Sequence, residues 1–225
     1  MTDLRRAEAS TRVARTVVIQ LIAGVVLTLA SVALGWWILS RGVDPFPIDD
    51  WWNTLVAEWW HPALAGFSRV MDWVGGGWIG VLAVPIGGAI ALVVLRRPWA
   101  AAYFLAAEAV SAGFVQVLKH LFGRVRPEDI LVISDYGSYP SGHVANAATI
   151  AVAAFVIFPR LWVAVAGAAW VVLMAFSRTY LHAHWLSDTF GGALIGAGAA
   201  LLVAAAFAVP LARERAVSAV PSTPR

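Results

Sequence analysis

Long apolar stretches alternate along the chain with short polar segments, which hold most of its charged residues. Several of the stretches approach the roughly 20 residues that a helix needs to cross the ~30 Å hydrocarbon core of a bilayer. The pattern predicts six membrane-spanning helices, over residues 16–39, 78–95, 99–119, 141–158, 161–177 and 185–211. We therefore expect one all-α, polytopic membrane domain over residues 1–225, with no second, soluble domain.

The segment 49–73, in the first predicted outer loop, is polar and rich in tryptophan. Trp51 and Trp52 are followed eight residues later by Trp59 and Trp60, so the two pairs fall on a similar helical face. Tryptophan favours the headgroup region, where its ring is buried and its N–H stays hydrated. We expect one or two interfacial helices here, with a loop lid of no specific role as the alternative.

The composition agrees with a membrane protein. Of the 225 residues, 60% are hydrophobic and 13% are charged, whereas a soluble domain normally carries about 25% charged residues. The formal net charge of +3 is small and scattered, so nucleic acid is not an expected partner. The chain has no cysteine, which excludes disulfides and cysteine-ligated metal sites.

The distribution of basic residues indicates the orientation of the predicted spans. With the N-terminus inside, ten arginines fall on the inner side of six spans and six basic residues on the outer side. This excess follows the positive-inside rule, so we predict a bacterial inner-membrane protein with both termini in the cytoplasm. The apolar run 17–39 exceeds the ~7–15 residues of a signal peptide, which favours an uncleaved first helix over a cleaved signal.

Three short polar clusters interrupt the apolar pattern, and all three fall on the predicted outer side. They read Lys119-x6-Arg126-Pro127, then Pro140-Ser141-Gly142-His143, then Ser177-Arg178-x5-His184-x3-Asp188. Charged side chains are costly in a membrane, so this concentration beside apolar spans needs a reason. Together the clusters supply cations, histidines, a hydroxyl and a carboxylate, a set suited to binding a phosphate and attacking its phosphorus without a metal.

The third cluster contains a candidate nucleophile. His184 and Asp188 are four residues apart, so on a helix they would share one face. The carboxylate could then accept the Nδ1–H of the imidazole and leave Nε2 as a nucleophilic lone pair. Arg178 could bind two phosphate oxygens with its planar guanidinium. The structural alternative is an Arg–Asp pair and a buried histidine that hold two helices together.

The other two clusters are candidates for binding an anion. A helix that begins near Ser141 and Gly142 would present unpaired N–H groups, and the serine could either cap it or donate to a phosphate. His143 is placed to act as an acid or base, although the segment could be an ordinary capped helix start. Lys119 and Arg126 could neutralise phosphate charge, or could reach toward the interface as long cationic side chains do.

Four more polar residues near the clusters have weaker expectations. Arg124 is expected to extend to the membrane interface rather than bind a ligand. His182 is expected to be a bystander, with local hydrogen bonding or a substrate contact as the alternative. His120 is expected to lie at the interface, and His61 is assigned no role.

The order and spacing of the three clusters resemble the type 2 phosphatidic acid phosphatase (PAP2) superfamily. Every defining residue of its K-x6-R-P, P-S-G-H and S-R-x5-H-x3-D pattern is present between residues 119 and 188. The resemblance implies that His184 attacks phosphorus to form a phosphohistidine, that Asp188 orients it, and that His143 protonates the leaving oxygen. It also implies no metal or other cofactor, and a phosphate held by Lys119, Arg126, Ser141, Gly142 and Arg178.

The expected function is hydrolysis of a lipid phosphate at the outer leaflet. Candidate substrates are polyprenyl (undecaprenyl) diphosphate, phosphatidic acid and phosphatidylglycerol phosphate, and carrier-lipid recycling is the narrowest expectation. A lipid headgroup phosphotransferase would use the same histidine. A vanadate-dependent haloperoxidase shares the motif but is soluble, which six apolar spans argue against. A transporter or structural protein with an anion site is the non-enzymatic alternative, and the oligomeric state is not predicted.

Overall fold

Helices account for the regular structure throughout the described part of the chain. The computed structural model describes residues 2–218, with side chains over residues 10–217. The helices are α1 (Thr2–Ser40), α2 (Pro47–Glu58), α3 (Pro62–Gly75), a π-helical turn (Ile79–Ala83), α4 (Val84–Val94), α5 (Pro98–Phe122), α6 (Gly142–Ile157), α7 (Leu161–Tyr180), α8 (Leu186–Ala206) and α9 (Ala208–Ser218). No strand occurs in residues 2–218, so the all-α prediction is confirmed.

Four described helices are long and apolar enough to cross a membrane: Ser10–Ser40 of α1, and the whole of α5, α7 and α8. A fifth span results if α3 and the helix Ile79–Val94, which meet at 47°, count as one bent element. The apolar helix α6 has only 16 residues, or about 24 Å of helix. A multi-pass membrane protein is therefore confirmed, whereas the count of six spans stays a prediction.

The tryptophan-rich segment forms two helices rather than one. α2 and α3 are separated by the break at Trp59–His61, and His61 Nδ1 accepts the Ala63 N–H at 3.2 Å as the N-cap of α3. His61 thus has a local structural role that the sequence did not indicate. The interfacial position of this segment remains a prediction.

The last predicted span, residues 185–211, is interrupted. α8 ends at Ala206 and α9 begins at Ala208. Pro210 has no N–H to donate to the Ala206 carbonyl, and its ring crowds that carbonyl, which explains a break at this point. The prediction of one uninterrupted helix over residues 185–211 is therefore wrong in its C-terminal part.

α8 lies at the centre of the bundle, where it packs against α1, α5 and α6. Small residues allow this close packing, as expected for membrane helices. A Cβ atom on Gly196 would lie 2.1 Å from the Ala145 carbonyl oxygen, and one on Gly192 would lie 2.5 Å from the Ser141 carbonyl oxygen. These two glycines let the start of α6, which carries part of the second polar cluster, lie directly against α8.

Candidate active site

The three polar clusters meet at one end of the helix bundle, where α5 and α7 end and α6 and α8 begin. A cavity of about 570 Å³ opens among these helix ends. Six of the residues predicted from the sequence line it: Lys119, Arg126, Gly142, His143, Arg178 and His184. The other two, Ser141 and Asp188, are buried, and the Ser141 N–H donates to the Asp188 carbonyl at 3.0 Å. The structure thus brings all eight predicted residues together.

His184 lies in the short connection between α7 and α8, almost completely buried. Its Nδ1 is 2.8 Å from the Ser138 carbonyl oxygen, which can only accept, so Nδ1 carries the proton. Nε2 therefore holds a lone pair, and it lies 3.2 Å from the Arg126 guanidinium. Burial lowers the pKa of His184 to about 3, and the nearby Asp188 only partly opposes this effect. The imidazole is neutral at physiological pH.

The predicted contact between His184 and Asp188 is wrong in its geometry. α8 begins only at Leu186, so His184 precedes the helix and the two side chains do not share a helical face. Asp188 Oδ2 is 3.7 Å from His184 Nδ1, beyond hydrogen-bond distance. It instead accepts the Trp185 N–H at 2.9 Å and the Ser138 hydroxyl. Asp188 thus positions Ser138, whose carbonyl sets the His184 tautomer.

The sequence predicted that Arg124 extends to the membrane interface. In the structure Arg124 is buried instead, with 1% of its surface exposed. Its guanidinium lies 2.6 Å from Asp188 Oδ1 and 2.8 Å from Asp49 Oδ2. Ser187 also donates its N–H to Asp49 at 2.8 Å, so α2 is tied to the start of α8. Two buried carboxylates hold this arginine inside, because removing one partner of a buried ion pair costs about 3–5 kcal/mol.

His143 is held by a residue that the sequence analysis missed. Its Nε2 is 3.1 Å from the Asp72 carboxylate and 3.1 Å from the Asp72 carbonyl oxygen. Asp72 also pairs with Arg178. The imidazole lies against the backbone of Gly76, where a Cβ atom would be 2.0 Å from His143 Nε2. The signal was present, because Asp72 is the one acidic residue of α3 and precedes three consecutive glycines.

Asp135 is a second carboxylate that the sequence did not indicate, and it pairs with the cations Lys119 and Arg126. Lys119 Nζ and Arg126 Nη2 lie 3.1 Å and 2.7 Å from the same Asp135 oxygen. Asp135 is 58% exposed in its side chain and lines the cavity. Although burial alone would raise the pKa of Asp135, Lys119 and Arg126 outweigh it and hold the pKa below its usual range. A negative group thus occupies the position between two predicted phosphate-binding cations.

The start of α6 keeps a polar group without a partner. The Ser141 hydroxyl is buried and makes no hydrogen bond, so the predicted cap of α6 by this hydroxyl is not observed. A buried hydroxyl without a partner is unfavourable, and a bound phosphate oxygen could accept from it. Within residues 2–218, no three His, Asp or Glu side chains are grouped so that they could hold a metal ion.

The remaining histidines lie outside this arrangement. His182 was expected to be a bystander. It is buried, and its Nδ1 is 2.7 Å from the side-chain oxygen of Asn53, a residue distant in sequence. His120 is exposed and bonds to the Gln116 carbonyl oxygen at 2.8 Å, one turn back on α5.

Comparison with known proteins identifies the family. Residues 100–210 match the family model of the PAP2 superfamily, and this region contains all three polar clusters. The chain belongs to the PAP2 superfamily, as the motif resemblance indicated.

Two curated relatives and one solved structure show what the chain is similar to. It is 32% identical over 125 residues to a lipid A 1-phosphatase of Rhizobium johnstonii, covering 49% of each chain. It is 33% identical over 89 residues to an undecaprenyl-diphosphatase of Sulfolobus acidocaldarius, covering 36% of this chain and 42% of the relative. The chain thus matches about half, or less, of these relatives' length.

The fold matches that of a transmembrane PAP2-type phosphatidylglycerolphosphate phosphatase from Bacillus subtilis. The TM-score is 0.71 at 25% sequence identity, and the match covers 80% of this chain and 93% of that chain. The similarity therefore extends beyond the region that carries the motifs.

Proposed function

We propose that the protein is a metal-independent lipid phosphatase, which hydrolyses a phosphate ester or diphosphate through a phosphohistidine on His184. One observation carries this proposal. The Nε2 lone pair of a neutral, fixed imidazole lies 3.2 Å from a guanidinium, inside a cavity lined by three cations. A nucleophile with its lone pair unprotonated beside groups that bind phosphate oxygens is what an attack on phosphorus requires.

The first step forms the phosphohistidine. Nε2 of His184 attacks phosphorus as the bond to the lipid oxygen breaks, and the imidazolium of His143 gives its proton to that oxygen. Asp72, 3.1 Å from His143, stabilises the imidazolium. Lys119, Arg126 and Arg178 neutralise the charge that develops on the other phosphate oxygens. The His184 Nδ1–H stays on the Ser138 carbonyl throughout.

The second step returns the enzyme to its starting state. Water attacks the phosphohistidine, and its proton passes to His143, which has become neutral in the first step. The N–P bond breaks, Nε2 regains its lone pair, and inorganic phosphate leaves. Transfer to a lipid acceptor instead of water is the phosphotransferase alternative, which would use the same intermediate.

Substrate binding exchanges one set of anions for another. In the structure Asp135 pairs with Lys119 and Arg126, and Asp72 pairs with Arg178. A phosphate carries the same sign of charge and more oxygens, so it can take over these contacts without leaving a cation unpaired.

The shape of the cavity supports a lipid as the substrate. From the polar end it continues between the π-helical turn, α4 and α5. The walls there are mostly apolar and include Val81, Leu82, Ile86 and Leu105, with Glu108 among them. A lipid could place its phosphate at the cations and a hydrocarbon chain along these walls. The candidate substrates are polyprenyl diphosphate, phosphatidic acid and phosphatidylglycerol phosphate. We favour polyprenyl diphosphate, the carrier lipid, among them.

We further propose that the chain crosses a bacterial inner membrane six times, with α2 and α3 at the outer surface. In this arrangement α6 is a short span whose recessed start forms part of the site. The excess of arginines at the opposite end supports cytoplasmic termini and a site that faces outward.

Phosphate release by the purified protein in detergent tests the function. We expect release in the presence of EDTA from at least one of the three candidate lipids or lipid A 1-phosphate, and little from a water-soluble phosphomonoester. His184→Ala should abolish release, whereas His120→Ala, at an exposed histidine outside the cavity, should retain it. An active His184→Ala variant, or activity that EDTA removes, would contradict the proposal.

A further inference from the structure

A second cavity, of about 540 Å³, lies at the end of the bundle opposite the active site. It is enclosed by the first half of α1, the end of α6 and the junction between α8 and α9. Its apolar lining consists of Val13, Val156, Ala204, Ala208, Leu211 and Ala212. Its polar lining consists of Arg12, Thr16, Gln20 and Arg215. The proposed catalytic steps use none of these residues.

The charged lining of this second cavity is entirely positive among the described residues. Arg215 donates to the Val156 carbonyl at the end of α6, which fixes its guanidinium at the cavity. The neighbouring Glu214 points its carboxylate at the start of α5, where it accepts the Trp99 N–H at 2.7 Å. Two guanidiniums beside a mostly apolar wall are complementary to an anion that carries hydrocarbon.

Three polar side chains in the first half of α1 form a row along the helix. Arg12, Thr16 and Gln20 are each four residues apart and so share one face, over about 12 Å of helix. Gln20 Oε1 is buried and has no hydrogen-bond partner in the structure. Burying an amide oxygen without a partner is costly. The row thus ends in an unpaired polar group that a bound molecule could satisfy.

We propose that this cavity binds an anionic phospholipid of the leaflet at that end of the bundle. The phosphate lies between Arg12 and Arg215, and the glycerol backbone lies deeper along α1. Its ester oxygens can accept from the Gln20 amide N–H once the side chain turns its nitrogen, instead of Oε1, toward the lipid. The apolar residues contact the acyl chains. The apolar wall favours a lipid over a soluble phosphate, because a soluble anion would leave that wall uncovered.

Native mass spectrometry of the full-length protein in a neutral detergent tests the proposal. Phosphatidylglycerol and phosphatidylcholine with identical acyl chains are added separately, and the fraction of protein carrying one lipid is measured. We expect about tenfold stronger binding of phosphatidylglycerol, since each basic residue near a headgroup contributes modestly. The double variant Arg12→Ala/Arg215→Ala should lose this preference, and Arg213→Ala, on the same helix but outside the lining, should keep it.

A second variant keeps the test valid if loss of two arginines impairs folding. Ala212→Phe fills part of the cavity and leaves both arginines in place, so it should also weaken phosphatidylglycerol binding. Each variant is compared only if its melting temperature without added lipid matches the wild type. Equal binding of the two lipids, an unchanged preference in both variants, or displacement of the lipid by millimolar glycerol 3-phosphate would overturn the proposal.

Discussion

At the scale of single residues, the site is built from basic side chains that share carboxylates. Lys119 and Arg126 share Asp135, and His143 and Arg178 share Asp72. Asp135 reduces the repulsion between Lys119 and Arg126, which would otherwise face one another in a partly buried cavity. The same arrangement makes the site ready for a phosphate, which can supply the negative charge in their place.

Asp72 is expected to position the general acid. The substitution Asp72→Asn should lower kcat by about tenfold to a hundredfold, because the imidazolium of His143 loses its ionic partner. The defect should be much smaller with a nitrophenyl phosphate that carries an alkyl chain on its ring, because this substrate keeps a hydrocarbon tail and its leaving group needs no proton. Steady-state rates on both kinds of substrate measure the difference.

The control for this variant is Asp50→Asn, an exposed carboxylate on α2 whose loss should leave both rates unchanged. Equal loss of activity on the two substrates would mean that Asp72 serves only the structure, since leaving-group dependence would then be absent.

The sequence predicts the residues of the site better than their contacts. Lys119, His143 and His184 belong to motifs with fixed spacing, so they can be found without a structure. Asp49 and Asp72 belong to no such motif, and their partners lie 75 and 106 positions away. The position of Asp72 before three glycines marks the residue but does not identify the partner. The His184 tautomer depends on a backbone carbonyl, which no sequence pattern identifies.

At the scale of elements, the loop between α5 and α6 controls access to two of the cations. Gly123 ends α5 with a left-handed φ of 52°, and its N–H donates to the Lys119 carbonyl at 3.0 Å. The loop then carries Asp135 back over Lys119, whose ammonium also donates to the Gly137 carbonyl at 2.7 Å. If the substrate phosphate binds these two cations, as proposed, Asp135 has to leave them.

Removing this competing charge should strengthen anion binding. Asp135→Asn should lower the inhibition constant of inorganic phosphate or vanadate by about threefold to tenfold, because the anion no longer displaces a carboxylate. The inhibition constant is obtained from the rate of phosphate release at several concentrations of the anion. Asp129→Asn, in the same loop but paired with His182, should leave the constant unchanged. Weaker anion binding in Asp135→Asn would show that this carboxylate helps to assemble the site.

The lengths of the apolar runs predict which elements exist but not where they bend. α1, α5 and α7 were predicted to within a few residues at the ends that matter for the site. The π-helical turn at Ile79–Ala83 was not predicted. One or two helices were expected in the tryptophan-rich segment, but the position of the break between α2 and α3 was not. Both features depend on packing against α6 and α7.

At the scale of the whole molecule, the orientation in the membrane can be tested directly, because the chain has no cysteine. Ile133→Cys lies in the exposed loop over the site, and Arg160→Cys lies in the turn at the opposite end. We expect a membrane-impermeant maleimide to label Ile133→Cys in intact cells and Arg160→Cys only after permeabilisation. The reverse pattern would place the site on the cytoplasmic side.

The central claim is that His184 carries the phosphoryl group during turnover. The measurement is rapid alkaline quenching of the protein with a lipid substrate labelled in its terminal phosphate, followed by mapping of the labelled peptide. We predict an acid-labile, alkali-stable label on His184, which is absent in His184→Ala. Turnover of the same substrate with no label on His184 at any time would contradict the account.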